Sequence, residues 1–308
     1  MQNTLILPLR GIIPPVVTPL LNNNTLDVEG LERLLEHIIS GGVHGVFILG
    51  TTGELPSLSH KLRYELIERT CLHVNDRVPV LVGISDCVFP ESLSLAHKAA
   101  DCGADAVVLA PPYYFALSQS EFLGYLERLV PQIPLPIFLY NIPVYTKVKF
   151  APETVKAAAG IPGIIGLKDS SSDLVYLKQV QYALKDRPDF TFMVGQEELL
   201  AEFVLTGGHG GVNGGANMFP KLYVNLYNAS VARDLDQVLK LLKTVMQVSS
   251  SVYLAGNSPS SYLKGLKCAL SLMGICSGFM AEPYSEFGIE ERCSIEKSLE
   301  ELDYKSLF

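Results

Sequence analysis

The chain has 308 residues, 48% of them hydrophobic, with 24 Lys and Arg against 32 Asp and Glu for a formal net charge of −8. Its charged share of 18% and mean hydropathy of +0.26 exclude a disordered chain, and the lack of any polybasic stretch argues against sequence-independent binding of DNA or RNA. A chain this long buries a large core without disulfide or metal staples, and its length suits either two ordinary domains or one α/β barrel.

The opening MQNTLILPLRG has only a short apolar run before Arg10, too little for a signal core. No run approaches the ~18 apolar residues of a membrane span. From residue 11 onward, short apolar runs alternate with amphipathic segments: GIIPPVVTP (11–19), GVFILG (45–50), VPVLVGIS (78–85), DAVVLAPP (105–112), PIFLYNIP (136–143), GIIGLKDS (163–170), FTFMVGQ (190–196) and GGVNGG (210–215). Continuous apolar character, rather than strict alternation, predicts strands buried on both faces of a parallel sheet. The segments between them read as helices, with Asp27, Ser59, Pro90 and Ser118 as start signals and Gly41-Gly42 as a stop.

Eight such units in about 230 residues match a (β/α)8 TIM barrel. A doubly wound sheet would favour a GxGxxG turn after its first strand, and the chain instead has Pro14-Pro15 there. Residues 233–253, 258–273 and 290–301 then read as helices without intervening strands. The expected organisation is a catalytic barrel over 1–232 with a C-terminal helical extension, 233–308, of the same domain. The six cysteines form no CxxC pair and are expected to be free thiols in a reducing cytoplasm. The six histidines show no HxH or HExxH spacing, so no metal is expected.

In a barrel of this kind the reactive groups lie where strands end and βα loops begin. The polar residues there are Gly50-Thr51-Thr52-Gly53-Glu54, Pro111-Pro112-Tyr113-Tyr114, Tyr140-Asn141-Ile142-Pro143, Lys168-Asp169-Ser170, Gly195-Gln196-Glu197-Glu198 and Val212-Asn213-Gly214-Gly215. Lys168 follows an apolar stretch, and burial there would lower its pKa as an imine-forming amine requires. A lysine snorkelling at the strand end, or one paired with Asp169, is the plainer alternative. Tyr140 ends the preceding strand and could pass protons beside Lys168. The GTTGE turn offers two hydroxyls and backbone N–H groups to a small carboxylate.

The set GTTGE, PPYY, YNIP, GLKDSS and the G-Q-E turn resembles the family containing dihydrodipicolinate synthase and N-acetylneuraminate lyase, over residues 10–225. The resemblance implies a class I, metal-independent enzyme in which Lys168 forms a Schiff base with pyruvate or another 2-oxo acid, needing no cofactor. It implies that Thr51 and Thr52 bind the carboxylate or relay protons, that Tyr140 is the main acid/base, and that Tyr114 enters a neighbouring subunit's site in a homotetramer, a dimer of dimers. Gly50, Gly195 and Val212 would lie against the substrate.

Synthases of this family read YN-P-G-R-T, whereas this chain has Tyr140-Asn141-Ile142-Pro143-Val144-Tyr145-Thr146, with Tyr145 at the arginine position. A phenol cannot replace the guanidinium fork that holds a second substrate's carboxylate. Ser170, Glu197, Glu198 and Tyr145 suit a polyhydroxylated chain better. The expected activity is therefore reversible cleavage of a 2-oxo sugar acid to pyruvate and an aldehyde. The alternatives are 4-hydroxy-tetrahydrodipicolinate synthase, condensing pyruvate with aspartate semialdehyde, and a non-catalytic 2-oxo-acid sensor.

Overall fold

Each of the eight apolar runs contains a strand in the computed structural model, which describes residues 5–302. The first four residues of the stretch read for a signal, and the last six of the 233–308 extension, lie outside the described residues. The strands are β1 (Gly11–Ile12), β2 (Val46–Ile48), β3 (Val80–Gly83), β4 (Ala106–Leu109), β5 (Ile137–Asn141), β6 (Ile164–Asp169), β7 (Thr191–Val194) and β8 (Gly210–Gly211). All pairings are parallel: each strand from β2 to β8 pairs with the next, and β8 pairs with β1.

The last seam, between β1 and β2, closes the barrel. The Phe47 amide donates to the Pro14 carbonyl at 3.0 Å, and the Val16 amide donates to the Phe47 carbonyl at 2.8 Å. Pro14 and Pro15 have no N–H to contribute, so the run at 11–19 yields only a short strand and an isolated bridge.

Side chains alternate across each strand, and this separates two cores. Phe47, Leu81, Val108, Phe138 and Met193 fill the barrel interior. Their neighbours Val46, Ile48, Val82, Val107 and Leu139 point outward against the helices. Both faces are apolar, which is why the runs read as continuous rather than alternating.

The outer layer consists of α1 (Val28–Ser40), α2 (His60–Val74), α3 (Phe89–Asp101), α4 (Gln119–Leu129), α5 (Pro152–Ala158), α6 (Leu174–Ala183), α7 (Leu200–Leu205) and α8 (Pro220–Ala232). Three of the expected start signals are true caps. Asp27 accepts from the Gly30 amide at 2.9 Å, Ser59 from the Leu62 amide, and Ser118 forms a reciprocal box with Glu121; each such cap stabilises by about 1 kcal/mol. Pro90 sits within the first turn of α3, which has no side-chain cap. A hairpin of Leu20–Asn22 with Thr25–Leu26 went unread in the sequence, although its Asn22-Asn23-Asn24 run is a turn signal. Beyond the barrel lie α9 (Leu235–Ser251), α10 (Ser261–Leu272) and α11 (Ile289–Glu301).

Candidate active site

Tyr140 on β5 stands directly opposite Lys168 on β6, and Asn141 opposite Asp169. Because side chains alternate, the first pair faces the barrel interior and the second faces the helices. Asn141 donates to Asp169 Oδ1 at 2.6 Å, and Asp169 Oδ2 accepts from the Ser171 hydroxyl at 2.8 Å. Asp169 is therefore bonded away from Lys168. The pairing that would have made Lys168 a structural lysine is not there.

Lys168 is 5% exposed, its Nζ 4.0 Å from the centroid of the Tyr140 ring and 4.9 Å from that of Phe47. Burial pushes its pKa down from the ordinary lysine value, with Tyr140 acting in the opposite sense. The Tyr140 hydroxyl lies 3.4 Å from Thr51 Oγ1 and 3.5 Å from Ser170 Oγ. A depressed amine, a phenol and two hydroxyls thus meet at the C-terminal ends of the strands.

A cavity of about 320 Å³ opens above them. It brings together Lys168, Tyr140, Thr51, Thr52, Ser170, Gly195, Glu197, Val212 and Tyr145, all expected from the sequence. At Gly195 a Cβ would fall 2.1 Å from Ser170 Oγ, so only glycine leaves that hydroxyl in place. Gly50 instead lines an adjoining cavity of about 280 Å³, which shares Thr51, Tyr140 and Tyr145 with the first. Tyr114 lines neither: it is 70% exposed, its ring edge-on to that of Phe115.

Glu197 is 4% exposed, and its carboxylate is largely taken up by protein donors. Oε1 accepts from the Tyr223 and Tyr253 hydroxyls at 2.7 and 2.6 Å, and Oε2 accepts from the Gly215 amide at 2.9 Å. Burial pushes this carboxyl up to about 7, against the pull of those donors. Three of its roughly four acceptor positions are occupied before any substrate arrives. Glu198, also on the cavity wall, is the neighbouring acid.

Charge around the cavities is sparse. Among the described residues that line either one, Lys168 is the sole Lys or Arg. Lys147 reaches the Tyr114 carbonyl at 3.4 Å, and Lys149 pairs with Asp173 at 2.8 Å. Among the described residues no cluster of three His, Cys, Asp or Glu is assembled to hold a metal ion.

Sequence reasoning missed the contribution of the C-terminal extension. Tyr253 and Tyr262 line the cavity, with the Tyr262 hydroxyl 3.2 Å from Thr52 Oγ1. Lys267 on α10 makes a fully buried ion pair with Glu54 of the GTTGE turn. A lone lysine in the apolar segment Leu266-Lys267-Cys268-Ala269-Leu270 was the available signal that a buried partner waits elsewhere.

Residues 8–302 match the model of the Dihydrodipicolinate synthetase family. The chain belongs to this family. It is an enzyme, a lyase of that family. A structure described as dihydrodipicolinate synthase from the commensal bacterium Bacteroides thetaiotaomicron is 59% identical, with a TM-score of 0.94 over 96% of this chain and 99% of that one. YagE, a prophage protein of Escherichia coli K12 solved in complex with pyruvate, is 29% identical with a TM-score of 0.91, over 96% of this chain and 99% of its own. In sequence comparison YagE, named a putative 2-dehydro-3-deoxy-D-gluconate aldolase, is 33% identical over 240 residues, 77% of this chain and 80% of that protein. An uncharacterized DapA-like lyase of Halobacterium salinarum is 32% identical over 296 residues, 96% of this chain and 95% of its own.

Proposed function

We propose that this family member is a Schiff-base lyase that reversibly cleaves a 2-oxo sugar acid to pyruvate and an aldehyde, with Lys168 as the imine-forming amine. The observation that carries the reading is a buried, depressed lysine without a carboxylate partner, set against the ring of Tyr140. The amine adds to the 2-oxo carbon, water leaves, and an iminium forms. Loss of the proton on the C4 hydroxyl, to Tyr140 and on to Thr51, lets the C3–C4 electron pair move into the iminium. The aldehyde departs and an enamine remains, which is protonated and hydrolysed to release pyruvate and free Lys168. Thr51, Thr52 and the turn they belong to take the carboxylate, with Gly50, Gly195 and Val212 shaping the pocket. Ser170, Tyr145 and Glu198 face the hydroxylated half, while Glu197, expected from the sequence to join them, is instead held by Tyr223, Tyr253 and the Gly215 amide and braces the wall.

The pyruvate complex and aldolase name of YagE support this reading, as does the lack, among the described residues lining either cavity, of an arginine for a second carboxylate. A synthase acting on aspartate semialdehyde is the second reading, favoured by the 59% identity to the Bacteroides structure. A sensor has no use for the Thr51–Tyr140 relay. The proposal extends to a homotetramer in which the exposed Tyr114 enters a partner's site, where the cavity beside Thr51 and Tyr140 offers room for a phenol. It treats the barrel over 1–232 and the extension over 233–308 as one catalytic unit, because Tyr253 and Tyr262 complete the cavity wall. Six free cysteines fit a cytoplasmic setting, and among the described residues no helix is long and apolar enough to cross a membrane.

Pyruvate with borohydride tests the mechanism. One covalent label on Lys168, read by intact mass and peptide mapping, is expected. No label, or a label on another lysine, overturns it.

A further inference from the structure

Thr52 is gripped from behind by the C-terminal extension. The Tyr262 hydroxyl, in the first turn of α10, lies 3.2 Å from Thr52 Oγ1. Its place is built rather than incidental: a Cβ on residue 214 would fall 1.7 Å from this oxygen, so the phenol fits only because residue 214 is glycine. The Tyr262 ring meets that of Tyr253 edge-on, with centroids 4.8 Å apart, and the Tyr253 hydroxyl is itself anchored on Glu197. Further along the same helix, Lys267 pairs with Glu54, both 1% exposed, and also donates to the Phe279 carbonyl at 2.5 Å. The other oxygen of Glu54 accepts from the Ala281 amide at 2.8 Å. α10 thus holds the GTTGE turn at two points, Thr52 and Glu54.

The pairing bears on where the hydroxyl protons point. Either hydroxyl can donate in this pair; a phenol is ordinarily the stronger donor, and in the inferred arrangement the Tyr262 O–H donates its hydrogen bond to Thr52 Oγ1. The threonine's own proton is then left for an acceptor in the cavity, and a donor that is also accepting is strengthened. We propose that Tyr262 is a positioning residue that orients the Thr52 hydroxyl to donate to the carboxylate of the bound 2-oxo acid. The inference rests on the Schiff-base reading, with Thr52 as a carboxylate contact. It adds a residue from the extension to the recognition of the substrate.

The test follows labelling of Lys168 by borohydride as pyruvate is titrated, in the full chain and in Tyr262→Phe, Thr52→Val and the double variant. Loss of one neutral hydrogen bond should raise the pyruvate concentration at half-labelling about fivefold in Tyr262→Phe, while the plateau of labelled protein stays at the wild-type level. A residue that merely supports the fold would lower the plateau or the melting temperature instead. Because Tyr262 acts through Thr52, the double variant should bind no worse than Thr52→Val alone. Gly214→Ala, which drives the phenol away without removing it, should give the same rise and serves if Tyr262→Phe does not fold. Wild-type half-labelling in Tyr262→Phe, or effects that multiply in the double variant, overturn the inference alone. A wild-type chain that takes no label on Lys168 overturns the Schiff-base reading and the inference with it.

Discussion

Replacing Glu197 by Gln should change how stability depends on pH, in a calculable direction. Burial raises the folded-state carboxyl from an ordinary 4.5 to about 7. In the unfolded chain the same group ionises near the ordinary value, so between these limits the folded protein holds the extra proton. Stability contributed by this group is therefore complete below about pH 4.5 and is lost as pH rises through 7. The interval corresponds to about 3 kcal/mol. Glutamine does not titrate, but its amide can set an N–H against the Gly215 N–H that Oε2 now accepts, at a pH-independent cost of about 1–3 kcal/mol. Glu197→Gln should thus be less stable than wild type at about pH 5, with the gap closing or reversing by about pH 8. Thermal unfolding of both proteins across that range, at one protein concentration, reads the difference. His37, His44 and His209, all lowered by burial, titrate alike in both proteins and cancel. A melting-temperature difference that stays constant with pH would refute the assignment.

Tyr145→Arg should raise kcat/KM for condensation of pyruvate with aspartate semialdehyde by roughly ten- to hundredfold, the range expected of a charged hydrogen-bonded contact. Steady-state kinetics beside a panel of 2-oxo-3-deoxy acids and N-acetylneuraminate would show it, and a wild-type chain already faster with semialdehyde would contradict the substrate preference. Light scattering should find a homotetramer at assay concentration. A fully active monomer would contradict a relay that borrows Tyr114 from a partner.

What could be read in the sequence follows from how local each signal is. The strands of the barrel are short apolar runs whose burial on both faces leaves no alternation to misread. The caps at Asp27, Ser59 and Ser118 act within three residues of themselves. Signals failed where the determinant lay elsewhere in the chain. β1 is cut short because Pro14 and Pro15 have no N–H to extend the ladder, leaving only an isolated bridge to Phe47. The hairpin at 20–26 is too small to show a period. Lys168 was readable as emerging from a buried strand, but whether Asp169 neutralised it depended on Asn141, 28 residues away on the neighbouring strand.

The same distinction divides the site into two halves with different origins. Of the groups proposed to react, Tyr140 and Lys168 lie near the C-terminal ends of β5 and β6 and Thr51 lies in the turn after β2, and the (β/α)8 topology alone gathers these ends. The walls are assembled over long separations: Tyr262 meets Thr52 across 210 residues, Lys267 meets Glu54 across 213, and Tyr253 meets Glu197 across 56. Glu197 shows what this does to inference. Read beside Glu198 it is an acid at a strand end, free to bind hydroxyls, yet three protein donors claim it in the fold. Chemistry in this architecture is therefore written into short motifs, whereas the fit to one aldehyde or another depends on contacts that no motif contains. Substitutions in the C-terminal helices should accordingly shift the substrate concentrations the site needs while leaving the plateau of borohydride labelling on Lys168 at the wild-type level.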